Sequence, residues 1–136
     1  MVIQVTLELA PYKRGYHLIT DKVVAQLPPL PENGMLNLFI QHTSAALTIN
    51  ENADPSVRTD LRSFVDELIP DDYAGFTHTT EGPDDMSAHI KSSLFGPSLT
   101  IPIIQHKLAL GTWQGIFLCE FRNGELRRKI VATIFH

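Results

Sequence analysis

The side chains able to do chemistry are histidines and carboxylates gathered in two stretches. His42 precedes Thr43-Ser44 and ends the run Met35–His42, whose even positions Leu36, Leu38 and Ile40 are apolar. A neutral imidazole where the buried face of a strand continues can ligate a metal through one nitrogen while the other donates to an acceptor. The same ring could equally sit in a core, bonded to a backbone carbonyl. The stretch HTTEGPDDMSAHIKSS, residues 78–93, is denser. Asp85 and His89 are spaced i, i+4, so in a helix they share a face and can grip one ion. His78 can swing in from the preceding loop, Lys91 can attract an anion, and Ser92 and Ser93 lie a turn further on. The alternative is that Asp84 or Asp85 merely caps that helix and His89 lies on its surface. Glu51 ends the next apolar run, Ala45, Leu47, Ile49, and reads as a catalytic candidate or a rim carboxylate. In a tight hairpin it would sit about 20 Å from His42, at roughly 3.3 Å per residue.

The elements that position these groups follow from periodicity. Residues 2–9 alternate as a half-buried strand, and residues 16–19, 35–42 and 45–51 read as three more. A short helix is expected from Thr20 or Asp21 to Leu27, stopped by Pro28-Pro29. The clearest helix is 54–69: Asp54 can cap it, Pro55 suits its first position, and Val57, Leu61, Phe64, Val65, Leu68 and Ile69 form one stripe. Another helix is expected over 84–94, ended by Gly96-Pro97. Residues 99–104 and 106–110 read as short strands. Asn123-Gly124 between 115–122 and 126–135 is a strong hairpin signal, pairing Glu120 with Arg127. On that hairpin Arg122 and Lys129 give one face a mild positive excess that could receive a phosphate or a neighbouring subunit. Cys119, between Phe117 and Phe121, reads as an inert core thiol rather than a nucleophile; Trp113 reads as core, with stacking on a flat ligand as the alternative. With no regular strand–helix–strand alternation, the class is α+β with two or three helices.

Phosphate-binding glycine loops, GxSxG, HExxH and CxxC are absent. The 136 residues, 43% apolar and 19% charged, suit one globular domain over 1–136. Eleven basic against fifteen acidic residues give a net charge of −4, which disfavours a nucleic-acid binder. No apolar run approaches the ~18 residues of a membrane span, and the N-terminal residues alternate rather than forming a secretion signal. The single cysteine excludes an intrachain disulfide; a cytoplasmic setting is expected.

Read together, QHTSAALTINENADPSVRTDL (41–61), HTTEGPDDMSAHIKSSLFGPSLTIPI (78–103), LALGTWQGIFLCEFRNG (108–124) and RGYHLIT (14–20) resemble the YjbQ family over nearly the whole chain. The resemblance implies a β-sandwich-like α+β domain assembled as a homotrimer, with a pocket lined by the family's histidines. These match His42 in HTSA, His78 before the acidic pair Asp84-Asp85, and His89 in AHIKSS; Glu51 matches the acidic residue of INEN. The chain departs from the family at His106, where relatives carry glycine; this places another imidazole near the expected pocket. The implied function is a metal-binding enzyme acting on a small phosphorylated or pyrophosphorylated molecule, with thiamine-phosphate synthesis among the candidate reactions; metal-assisted hydrolysis is an equally physical alternative. His42, His78 and His89 would hold a divalent ion, zinc or magnesium, with Asp85, Glu51, Lys91 and Arg122 as catalytic candidates. The alternative is a non-catalytic trimer that binds a small ligand or metal.

Overall fold

A computed structural model of residues 1–136 shows two antiparallel sheets packed face to face, with two helices over the outer side of the smaller sheet. The larger sheet contains β1 (Val2–Leu9), β3 (Asn33–Ile40), β5 (Ser98–Ile104), β6 (Lys107–Leu108) and β8 (Arg128–Phe135), ordered β1-β8-β3-β5-β6. The smaller contains β2 (Gly15–Leu18), β4 (Ala45–Glu51) and β7 (Gln114–Glu120), with β7 in the middle. The helices are α1 (Thr20–Gln26), α2 (Pro55–Leu68) and α3 (Asp85–Phe95). The α+β class is as expected, and of the two or three helices expected the chain has three. No helix is long and apolar enough to cross a membrane.

Alternation builds the core between the sheets. Leu7 and Leu9, Leu36, Leu38 and Ile40, Ile101 and Ile103, and Ile130, Ala132 and Ile134 face Ala45, Leu47, Ile116 and Leu118 from the other sheet. β7 is buried on both faces. Its odd residues Phe117 and Cys119, with Phe121, pack against Tyr16, Ala46 and Ala88 under α2 and α3. A strand covered on both sides reads as continuously apolar rather than alternating, as the central run Ile116, Phe117, Leu118 and Cys119 does.

Several expectations are corrected. Strands β7 and β8 do not form a hairpin: β7 pairs with β2 and β4, β8 with β1 and β3. Both flanks of β7 are already filled, so residues 121–127 carry the chain across to the other sheet, and Glu120 meets Arg128 instead of Arg127. Trp113 is 64% exposed, and the stripe on α2 is incomplete, because Phe64 and Leu68 face outward. His106 does not join a pocket of histidines. It sits with Gln105 at the β5–β6 turn at φ +63° and +51°, a conformation glycine adopts without cost, and its Nδ1 donates to Leu30 O at 2.9 Å.

Likewise β3 and β4 are not a hairpin. They lie in different sheets, and residues 41–44 cross between them. Asp54 caps α2, accepting from Ser56 N at 2.9 Å, with Pro55 at the first position as expected. At α3, Asp84 holds the cap position without capping, because its carboxylate points into the site.

Candidate functional site

The N-terminal turn of α3, the crossing at residues 41–44 and the loop before α3 converge. Residues Asp85 and His89, one turn apart on α3, meet as the spacing predicts: His89 Nε2 lies 3.0 Å from Asp85 Oδ2. The loop brings His78 Nε2 to 2.7 Å from the same oxygen. The His78 and His89 rings are 5.4 Å apart between centroids. The other Asp85 oxygen accepts from Arg122 Nη1 at 2.5 Å. Asp85 is 2% exposed. Burial alone would raise its pKa; the His78 hydrogen bond, the His89 and Arg122 charges and the His89 hydrogen bond together outweigh it and hold the carboxyl below the usual range.

Arg122 is fixed from three sides. Its Nε donates to Asp84 Oδ2 at 3.1 Å and its Nη2 to Glu81 O at 3.0 Å, while Asn123 N donates to Asp84 Oδ2 at 2.7 Å. The guanidinium therefore pins the 121–127 crossing onto α3.

His89 Nδ1 donates to Thr43 O at 2.8 Å. That fixes the tautomer, so a neutral His89 turns its Nε2 lone pair toward a carboxylate oxygen. The juxtaposition is favourable only with positive charge present, either a second proton on the ring or a cation shared with Asp85. A ring nitrogen held by a backbone carbonyl while the other faces a carboxylate is the arrangement that orients metal-binding histidines. His78, Asp85 and His89 place three donor atoms within 4.8 Å of one another. Two imidazoles and one carboxylate form a donor set suited to a divalent transition metal with open positions.

Two cavities flank the cluster. On the His89 side, His42, Thr43, His89, Ser92, Ser93 and Pro97 line about 550 Å³. On the His78 side, a cavity of about 440 Å³ runs between Tyr73, Phe76, Met86 and the loop carrying His78.

The sequence candidates thus divide. His78, Asp85, His89 and Arg122 come together, and His42 joins His89 across the first cavity. Glu51 does not: at the far end of β4, its Oε2 accepts from Asp54 N at 3.0 Å at the entrance to α2. Nor does Lys91, which is fully buried with Nζ 2.5 Å from Asp66 Oδ1 and 5.9 Å from the Phe121 ring centre. Asp66 also meets Arg14 at 3.3 Å, and Arg14 reaches Asp71 at 2.7 Å. Lys91 therefore anchors α3 to α2, one residue round the helix from the serines of the cavity. Sequence reasoning missed Thr43 as the group that orients His89, because a main-chain carbonyl leaves no residue-type signal.

The family model described as "UPF0047 protein YjbQ-like" matches residues 5–136. The chain belongs to the YjbQ family. It is 49% identical to the UPF0047 protein YjbQ of Salmonella typhimurium, over 98% of both chains. Against YugU of Bacillus subtilis the identity is 40%, over 90% and 92% of the two chains. Among solved structures, a YbjQ-like protein of unknown function from Sulfolobus solfataricus superposes with a TM-score of 0.84 at 25% identity, covering 98% and 96%. An uncharacterised YjbQ-family protein from Clostridium acetobutylicum gives 0.82 at 36%, covering 96% and 99%. The two-sheet architecture is thus the YjbQ fold.

Proposed function

We propose that His78, Asp85 and His89 bind a divalent metal ion and that the adjoining cavity takes a small phosphorylated substrate. The supporting observation is the His89 tautomer: with Nδ1–H held by Thr43 O, the Nε2 lone pair faces Asp85 Oδ2 at 3.0 Å, where a shared metal ion would supply the positive charge that the contact needs. Three protein donors leave positions open for substrate, as catalytic sites require. When bound, such an ion supplies Lewis-acid stabilisation of charge on phosphoryl oxygens.

The chain's own groups set the rest. Arg122 on Asp85 Oδ1 leaves Oδ2 as the ligand atom and offsets part of the carboxylate charge. The 550 Å³ cavity has no acidic side chain in its lining, so an anion meets no carboxylate there. Two imidazoles in the donor set favour zinc or a similar ion over magnesium, which prefers oxygen ligands. That preference favours metal-assisted hydrolysis of a phosphate ester over displacement of pyrophosphate, the chemistry of thiamine-phosphate synthesis.

Calorimetric zinc titration tests the reading. His89→Ala should weaken zinc by more than roughly 100-fold, beyond what loss of an orienting group costs. Equal zinc affinity in wild type and His89→Ala would end it. Thiamine-phosphate formation and phosphate-ester hydrolysis, each with and without chelator, separate the two reactions. The same reading takes the outer face of the larger sheet, where Val2, Phe135 and Met35 align in register and stand exposed, as the contact of a trimer. Light scattering checks the assembly.

A further inference from the structure

His42 sits opposite His89 across the cavity, yet its ring is wired the other way. Strand β3 leaves the larger sheet after Ile40, and Gln41 N makes the last ladder bond, to Lys129 O at 3.1 Å. The next donor on β8, Lys129 N, would lack a partner at this point; it donates to His42 Nε2 at 2.9 Å. A backbone amide only donates, so Nε2 carries the lone pair and the proton of the neutral ring is on Nδ1. Burial, then the charge of Arg128, lower the His42 pKa; Glu120 pulls the other way and Lys129 adds to the lowering.

We propose that His42 is a hydrogen-bond donor, through Nδ1–H, to an anionic oxygen of the molecule in the 550 Å³ cavity, and not a metal ligand. The other lining groups fit a ligand rich in acceptors. Ser92 Oγ gives its proton to Ala45 O at 2.8 Å, leaving the hydroxyls of Thr43 and Ser93 as further donors. Donors without a carboxylate select an oxyanion, and the phosphoryl group of a small ester matches that chemistry. The inference rests on the reading of this cavity as the substrate site, but not on zinc reaching its neighbours.

The test uses the full chain and long-range proton–nitrogen spectra of the imidazoles, first with zinc and then with inorganic phosphate. His42 should show a protonated Nδ1 and a bare Nε2, stay in place when zinc is added, and shift at Nδ1 with phosphate. Two variants separate its two bonds. His42→Gln keeps an acceptor for Lys129 N–H but loses the donor at the Nδ1 position; it should weaken phosphate roughly tenfold and leave zinc affinity unchanged. His42→Asn restores a donor at that position and should bind phosphate more tightly than His42→Gln. A protonated Nε2, a His42 signal moved by zinc, no phosphate response in the wild type, or equal phosphate affinity in wild type and His42→Gln would each overturn the proposal. Should zinc fail to bind while His42 still responds to phosphate, the metal reading falls and this one stands.

Discussion

Removing the Glu120 carboxylate should destabilise the protein more than any change at its surface. Glu120 and Arg128 are 1% and 4% exposed at the side chain, and form a bidentate pair, Nε to Oε2 at 2.7 Å and Nη2 to Oε1 at 2.5 Å. Arg128 Nη2 also reaches Ser44 Oγ at 3.0 Å and Ser44 O at 3.3 Å, which ties the 41–44 crossing to β8. In Glu120→Ala the guanidinium stays buried with Ser44 alone, and Arg122 N loses its acceptor at 3.1 Å. Stranding one member of a buried pair costs roughly 3–5 kcal/mol. Against a typical total of about 5–15 kcal/mol, this lowers the melting midpoint by on the order of 10–20 °C. Replacing both partners, as Glu120→Leu with Arg128→Met, removes the stranded charge and should recover most of the loss. The double variant should nonetheless loosen residues 42–44 and weaken the cavity's ligand binding, because Ser44 has lost its donor. Urea unfolding at fixed protein concentration, so that assembly does not contribute differently, measures each change. A Glu120→Ala loss below about 1 kcal/mol would refute the assignment of a desolvated, mutually dependent pair.

Three further outcomes are expected. Lys91→Met should cost only about 1–3 kcal/mol, because Asp66 keeps Arg14 at 3.3 Å and Arg62 at 3.7 Å; its zinc affinity should match wild type, and a lost zinc site would return Lys91 to the functional centre. For acid stability, burial raises the carboxyls of Asp66, Asp71 and Asp85, but Lys91 and Arg14, then Arg14 and Ser87, then His78, His89 and Arg122 outweigh it and leave all three lowered. Folded values below unfolded ones mean stability that is present above about pH 4 and lost as pH falls through the folded values; urea midpoints across that range should fall less steeply in Asp85→Asn, and an unchanged slope would contradict the site's charge balance. Burial pushes the Cys119 thiol well up, so a disulfide-exchange reagent should label it only as fast as the fold opens, and rapid labelling of native protein would place it elsewhere.

Much of this fold is legible in the sequence wherever local pattern and burial agree. Strand β4 runs from Ala45 to Glu51 and helix α2 from Pro55, as alternation and the Asp54-Pro55 start dictate. Legibility fails where tertiary partners override a local signal. Asn123-Gly124 has the chemistry of a hairpin, but Asp84 takes Asn123 N and Arg122, and β7 is already paired on both sides. The i, i+4 spacing of Asp85 and His89 could be read directly, whereas the arrival of His78 depends on a long loop. Lys91 and Ser92 are adjacent in sequence, and only helical phase assigns one to Asp66 and the other to the cavity wall. Glu51 looked chemically available because a backbone N–H acceptor cannot be distinguished from a free carboxylate by residue type.

The proposed metal centre is tested most directly by crystals soaked in zinc, with anomalous data collected at the zinc edge. A single strong peak bounded by His78 Nε2, Asp85 Oδ2 and His89 Nε2, with His42 still accepting from Lys129 N–H, is the predicted result. Soaked crystals with no density between those three side chains, or a peak on His42 instead, would contradict it.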